Sequence, residues 1–178
     1  MATTLTAFEK EQIECAKKIN EYKLISEANI VASIFKQPES MYNIDLKIED
    51  FGHNIWKCWY AVAEGLIIKE KKSSLDEISV GIYLEKHPKL KNKIQEYGGY
   101  STINDATAYI NLENFESYIN DLKKFNVLLQ LLKYGFPISE KLSEYVDKTT
   151  DEIYSELELM LNHTFLNTES SIKSYNAF

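Results

Sequence analysis

ENFESYINDLKKFNVLLQLLKYGF, residues 113–136, has apolar side chains at Phe115, Tyr118, Leu122, Phe125, Leu129, Leu132 and Phe136. The spacing alternates three and four, the period of a helix packing along another helix. Its first half is one-sided, because Glu116, Ser117, Asn120, Asp121, Lys123 and Lys124 fill the opposite face. Its second half is not: Val127, Leu128, Leu131 and Tyr134 add an apolar face behind the first. A helix apolar all round does not sit on a protein surface. This helix is therefore expected to touch its own domain on one side and something else on the other.

A second helix follows. Thr149-Thr150-Asp151-Glu152 offers a capping box, with Thr149 as N-cap and Glu152 reaching back. Ile153, Tyr154, Leu157, Met160, Leu161 and Phe165 form one stripe beyond it. Two long helices joined by a short polar link predict an antiparallel helical hairpin, and its spare apolar faces predict assembly.

Composition agrees with a helical chain. Only 6 Gly and 3 Pro in 178 residues favour long, uninterrupted helices over a many-turned β fold. A chain of this size builds its own core. The net charge of −7 argues against a nucleic-acid surface spread over the whole domain. Every basic side chain among the 20 is Lys, so neither an arginine finger nor a bidentate Arg contact to guanine is available. Cys15 and Cys58 stand alone and read as buried thiols of a reducing compartment. With no signal segment and no long apolar run, the expected location is the cytoplasm, with no membrane partner.

In chain order, Met1–Thr4 is expected to be disordered. Thr6-Ala7-Phe8-Glu9 is a capping box opening a helix to about Glu21, which buries a thin stripe of Phe8, Ile13, Ala16 and Ile19. Ser26 caps a second helix, ending before Pro38. The segment from His53 to Glu64 carries Ile55, Trp56, Trp59, Tyr60, Val62 and Ala63 and forms the heart of the globular part. Ser74-Leu75-Asp76-Glu77 is a third capping box, with Ile78, Ile82 and Tyr83 inward. Pro88 starts a short helix that Gly98-Gly99 ends, and Tyr100 to Ile110 forms another. Gly135-Phe136-Pro137 interrupts the long helix. The expected division is an extension helix at 1–23, a helical head at 24–110, a hairpin at 111–166 and the start of a linker at 167–178.

Chemistry is sparse. The chain has no G-x-x-x-x-G-K-[ST] loop for phosphates, and His53, His87 and His163 belong to no metal motif. His53 reads as a capping or core residue. Neither cysteine has an activating neighbour, and the lysine runs 69–72 and 86–93 read as solvated helix ends. By elimination the chain is a binding or assembly module, with no catalytic, cofactor-binding or metal residues expected.

Several ordered stretches carry a resemblance. Ser26-Glu27-Ala28-Asn29-Ile30-Val31-Ala32-Ser33-Ile34 resembles the "EAE-x-x-[VL]-[LG]-[AG]-x-[LI]" helix that opens the N-terminal domain of DnaB-type replicative DNA helicases. Ile48-Glu49-Asp50-Phe51, then His53, Ile55-Trp56 and Ala61, resembles their "PEDFY-x-x-x-H-x-x-IF-x-A". Leu75 through Leu84 sits where they carry "IDL-x-T-[LV]-x-x-x-L", Gly98-Gly99-Tyr100 matches "GG-x-x-YL", and Asn114 to Leu132 matches the long helix after it. The departures are a closer His, Ile48 in place of Pro, and the break at 135–137, which suggest a divergent, phage-encoded member.

The resemblance implies an all-α fold: a multi-helix head followed by an extended antiparallel hairpin. It implies a non-catalytic collar domain, dimers within a hexamer, that binds primase or a helicase loader and touches little DNA. ATP and Mg²⁺ are expected only in a following RecA-like motor domain. The expected self-association seam is Phe125, Leu128, Leu129, Leu132, Leu157 and Met160, and primase contacts are expected near Tyr118, Asn126 and Tyr134. A free-standing helical adaptor, such as a helicase loader or inhibitor, is the alternative.

Overall fold

The computed structural model describes the backbone of residues 5–175 and the side chains of residues 5–168. The expectation for Met1–Thr4 lies outside the described residues. Among these residues every regular element is helical: α1 (Ala7–Lys36), α2 (Asn54–Glu64), α3 (Glu77–Glu85), α4 (Pro88–Glu96), α5 (Tyr100–Ala108), α6 (Phe115–Lys133), α7 (Leu142–Asp147) and α8 (Thr150–Tyr175).

The capping box at Thr6 forms: the Glu9 amide donates to Thr6 Oγ1 at 3.2 Å, and the Thr6 amide donates to Glu9 Oε2 at 2.7 Å. The helix it opens does not stop at Glu21. It runs 30 residues, through the position where a second helix was expected to begin. Ser26 lies inside it, its hydroxyl turned back to the Tyr22 carbonyl at 3.5 Å, a bond that competes with its use as a cap. Glu21–Ile25 holds no Gly or Pro, so nothing in the chain interrupts the helical ladder.

α1 serves two cores. In the head, Ile30, Val31 and Ile34 meet Phe51, Trp59, Val62, Leu66, Val80, Ile94, Ile103 and Leu122. Trp59 is wholly buried, with Phe35 edge-on at 5.5 Å and Tyr100 at 6.3 Å. α2 passes into a π turn at Gly65–Lys69, where Gly65 lets the Tyr83 ring approach closely. α3 differs from expectation. Asp76 caps it by accepting the Ser79 amide at 2.9 Å, so the helix starts later than a cap at Ser74 implied; Tyr83 is inward as expected, together with Val80. Ile78 and Ile82 face out. The turn at Gly98–Gly99 ends α4 with φ of 96° and 67°, a conformation that favours glycine.

The second core joins Cys15 and Ile19 of α1, Phe125, Leu128 and Leu132 of α6, Ile138, Leu142 and Tyr145 of and before α7, and Ile153 and Leu157 of α8. α1 and α6 are antiparallel: Tyr22 stacks on Phe125 at 5.5 Å, and at the other end Lys36 Nζ donates to the Ile110 carbonyl at 3.4 Å. The link from α6 to α8 is longer than the short polar link expected. The chain turns at Gly135–Phe136–Pro137 and then forms α7, whose end is fixed beside the middle of α6 because Lys124 Nζ donates to the Val146 carbonyl at 2.6 Å. Lys141 and Lys148 both reach Glu156, tying α7 to α8. The Thr149 capping box forms, with the Thr149 amide donating to Glu152 Oε2 at 2.7 Å. α8 then continues as helix through Tyr175, across the segment expected to begin a linker.

Candidate functional site

Part of the second apolar face of α6 has an explanation within one chain: Leu128 is buried and Leu131 packs against the second core, while Tyr134 is exposed. Phe115, Tyr118 and Ile119 pack against the head core, while Phe125, Leu128 and Leu132 fill the second core. A helix wedged between α1 on one side and α7 with α8 on the other has apolar residues all round without any neighbour. This corrects the expected self-association seam. Phe125, Leu128, Leu132 and Leu157 are buried inside the chain, and Leu129 is half-buried against the same cluster. Met160 alone of the six is exposed, at 42%.

The expected partner residues are similarly divided. Tyr118 is half-buried against the head core. Asn126 is half-buried, and its Nδ2 donates to the Asp50 carbonyl at 3.0 Å, tying α6 to the turn before α2. Tyr134 stands out at 75% exposure.

The free apolar surface lies further along α8. Ile153 and Leu157 hold its first two turns to the body, and from Glu158 to Thr168 every residue is exposed. Five of these are large and apolar: Leu159, Met160, Leu161, Phe165 and Leu166. Leu161 and Phe165 continue the Leu157 row at four-residue spacing, so they share its side of the helix. The expected stripe of α8 therefore splits, its first part in the core and its remainder in solvent. The helical period marks such a stripe but does not mark where the body beneath it ends.

The other reactive groups have structural settings. Glu27, wholly buried, accepts the amides of Gly52 at 2.5 Å and His53 at 3.0 Å, and its Oε2 lies 3.0 Å from His53 Nδ1. Lys23 Nζ lies 3.8 Å away, and burial pushes its ammonium below the ordinary lysine range despite the Glu27 carboxylate. Burial raises the thiols of Cys15 and Cys58, which disfavours their reactive thiolate forms. His87 Nδ1 lies 2.8 Å from the Tyr83 carbonyl, and its ring stacks on Tyr83. Among the described residues, no group of three His, Cys, Asp or Glu side chains is placed to hold a metal ion.

No protein family, curated protein or solved structure matches this chain. Among the described residues no helix is long and apolar enough to cross a membrane.

Proposed function

We propose that this chain is a non-catalytic assembly domain that joins other copies of itself through the exposed part of α8. The observation that carries the reading is the segment from Glu158 to Thr168, where Leu159, Met160, Leu161, Phe165 and Leu166 stand in solvent on a projecting helix. An isolated helix of this length is marginal in water, and one with this much apolar surface gains by being covered. Pairing α8 with α8 of a second copy supplies that cover.

The wider assignment is the collar domain of a DnaB-like replicative helicase, working in the cytoplasm, with primase or a loader as partner. ATP and Mg²⁺ would belong to a separate motor domain. Supporting this, the two stretches that carry the resemblance meet in space, since Glu27 of the first grips the Gly52 and His53 amides of the second. The Gly98–Gly99 turn and the long α6 follow in the same order. Tyr134 is the exposed member of the suggested primase contacts.

Light scattering tests the self-association. The molar mass of the parent should rise with concentration, and Leu161→Glu with Phe165→Glu should return it toward monomer. Equal masses for parent and variant would overturn the α8 reading. Titrating cognate primase into isotopically labelled protein tests the partner, and shifts confined to residues 1–60 would refute a contact at Tyr134.

A further inference from the structure

Pro38–Asn43 forms a 3₁₀ turn on the head, and its three-residue period sorts its side chains. Pro38 and Met41 are buried, while Glu39 and Tyr42 form an outward row. Tyr42 is 56% exposed, yet its ring is fixed. The hydroxyl donates to the Ile67 carbonyl at 3.1 Å, and Lys71 Nζ lies 5.9 Å from the ring centre. A ring already held in place loses little freedom when a partner covers it, and tyrosine is common among the anchors of interfaces.

Beside Tyr42 the chain is basic. The π turn runs into Lys69-Glu70-Lys71-Lys72, where Lys71 takes φ of 57°, uncommon for a residue other than glycine. The amides of Glu70 and Lys72 donate back to the Gly65 and Leu66 carbonyls at 3.0 and 2.9 Å, which fixes the lysines in place. Lys86 takes up Glu70 at 3.3 Å. Lys69, Lys71 and Lys72 have no carboxylate partner among the described residues.

Along the same 3₁₀ turn the surface is acidic. Glu39, Asp45 and Glu116 line an open groove of about 480 Å³ between the turn and α6. Its lining includes Ile44, Phe115 and Ile119, half-buried against the head core. Lys123 is the cation in this lining, and none of the three carboxylates has an ion-pair partner among the described residues. One surface thus carries both halves of a contact: an aromatic anchor with lysines, and an apolar groove with carboxylates. Within one chain the halves do not close on each other, since no lysine of the turn pairs with a carboxylate of the groove. Two copies related by a two-fold axis satisfy both halves at once.

We infer that Tyr42 and the Lys69–Lys72 turn of each copy dock in the groove of Glu39, Asp45 and Glu116 on a second copy. The charge pattern names the occupant. The chain is acidic overall, at −7, so copies repel in most orientations, and this one sets lysines against carboxylates. The contact lies on the head and does not rest on the α8 reading. With both contacts, each chain has two different faces for its neighbours, and assemblies grow beyond a pair.

The test is sedimentation equilibrium on the full chain carrying Leu161→Glu and Phe165→Glu, so that α8 pairing does not contribute. This background should still form pairs. Adding Glu39→Lys with Asp45→Lys should raise their dissociation constant about tenfold or more. These changes make the chain less negative, so relief of general repulsion would act in the opposite direction. Adding Lys69→Glu with Lys72→Glu instead should also weaken the pair. All four changes together should restore it, because the charges have exchanged places. The four sites are exposed, and helical circular dichroism checks that each variant keeps its fold. A background that is monomeric throughout would overturn the inference. So would a groove variant that associates as well as its background, or a fourfold variant no tighter than the twofold ones. Comparing the background with the parent reads α8 separately. Equal masses there overturn the α8 reading, while the charge exchange still decides the head contact.

Discussion

The carboxylate of Glu27 accepts the backbone amide of Gly52 at 2.5 Å, deep enough that no part of Glu27 meets solvent. The same carboxylate holds the His53 amide and the His53 ring, so one side chain of α1 fixes the start of α2. Gly52 suits this position because a Cβ there would come within 3.1 Å of Lys23 Nζ and 3.4 Å of Glu27 Oε1. Removing the acceptor leaves buried donors and the Lys23 ammonium uncompensated. Glu27→Ala should therefore cost about 3 kcal/mol, the range for breaking a buried charged pair. Urea denaturation measures it, and an unchanged midpoint would show that solvent replaces the carboxylate.

Two glycines should respond in opposite directions to the same change. A Cβ on Gly65 would fall 2.0 Å from Tyr83 Oη and 2.4 Å from Cζ, inside the head core. Gly65→Ala should destabilise by about 1–3 kcal/mol, the usual cost of overpacking. Gly81, in α3, has nothing within 4 Å of the added carbon. Gly81→Ala should stabilise by up to about 1 kcal/mol through helix propensity. Thermal melts of the two variants check the sign of each effect.

High pH should loosen the head. Burial pushes the Tyr60 hydroxyl up to about 12, while it donates to the Leu46 carbonyl at 2.8 Å. Burial also raises Tyr83, Tyr100 and Tyr145. Between pH 10 and 12 the unfolded chain releases protons that the folded chain retains. The unfolded state then binds fewer protons, so stability falls as pH rises through that window. The Tyr60 contribution amounts to up to about 2 kcal/mol, at roughly 1.4 kcal/mol per pKa unit. Tyr60→Phe should flatten the loss, and ultraviolet titration of the parent should show tyrosines that resist ionisation beyond pH 10.

The helical class and the α6 period were legible because local pattern determines them: Leu122, Phe125 and Leu132 repeat at helical spacing and are buried. The owner of the surface packed on Leu128 was not legible. Cover by α1 of the same chain and cover by a second copy leave the same apolar residue in the sequence. Ser26 misled for a related reason, since a serine that caps a helix and one that bonds back inside a helix look alike until its neighbours are placed. Lys124 was placed on the polar face of the long helix and Glu27 was given no partner, yet both are buried, because their partners are backbone groups far along the chain. Ile78 and Ile82, expected inward, face solvent because Val80 and Tyr83 are the α3 residues that meet the head core. In the candidate site, the α8 stripe was visible as a stripe, while its division into core and free parts depends on where α7 ends.

Asn126 and Tyr134 allow a partner surface to be separated from a structural one. Asn126 Nδ2 ties α6 to the Asp50 carbonyl, so Asn126→Ala should lower stability by about 1 kcal/mol, the net worth of one hydrogen bond. Tyr134 is exposed at the end of α6, where a substitution changes stability by less than about 0.5 kcal/mol. If this end of α6 meets a partner, Tyr134→Ala should weaken binding with an unchanged melting temperature. Asn126→Ala should weaken binding only in step with its stability loss. Calorimetric titration beside thermal melts of both variants distinguishes the two. Equal binding by the parent and Tyr134→Ala would remove this end of α6 from the partner surface and leave Asn126 as a brace for the turn before α2.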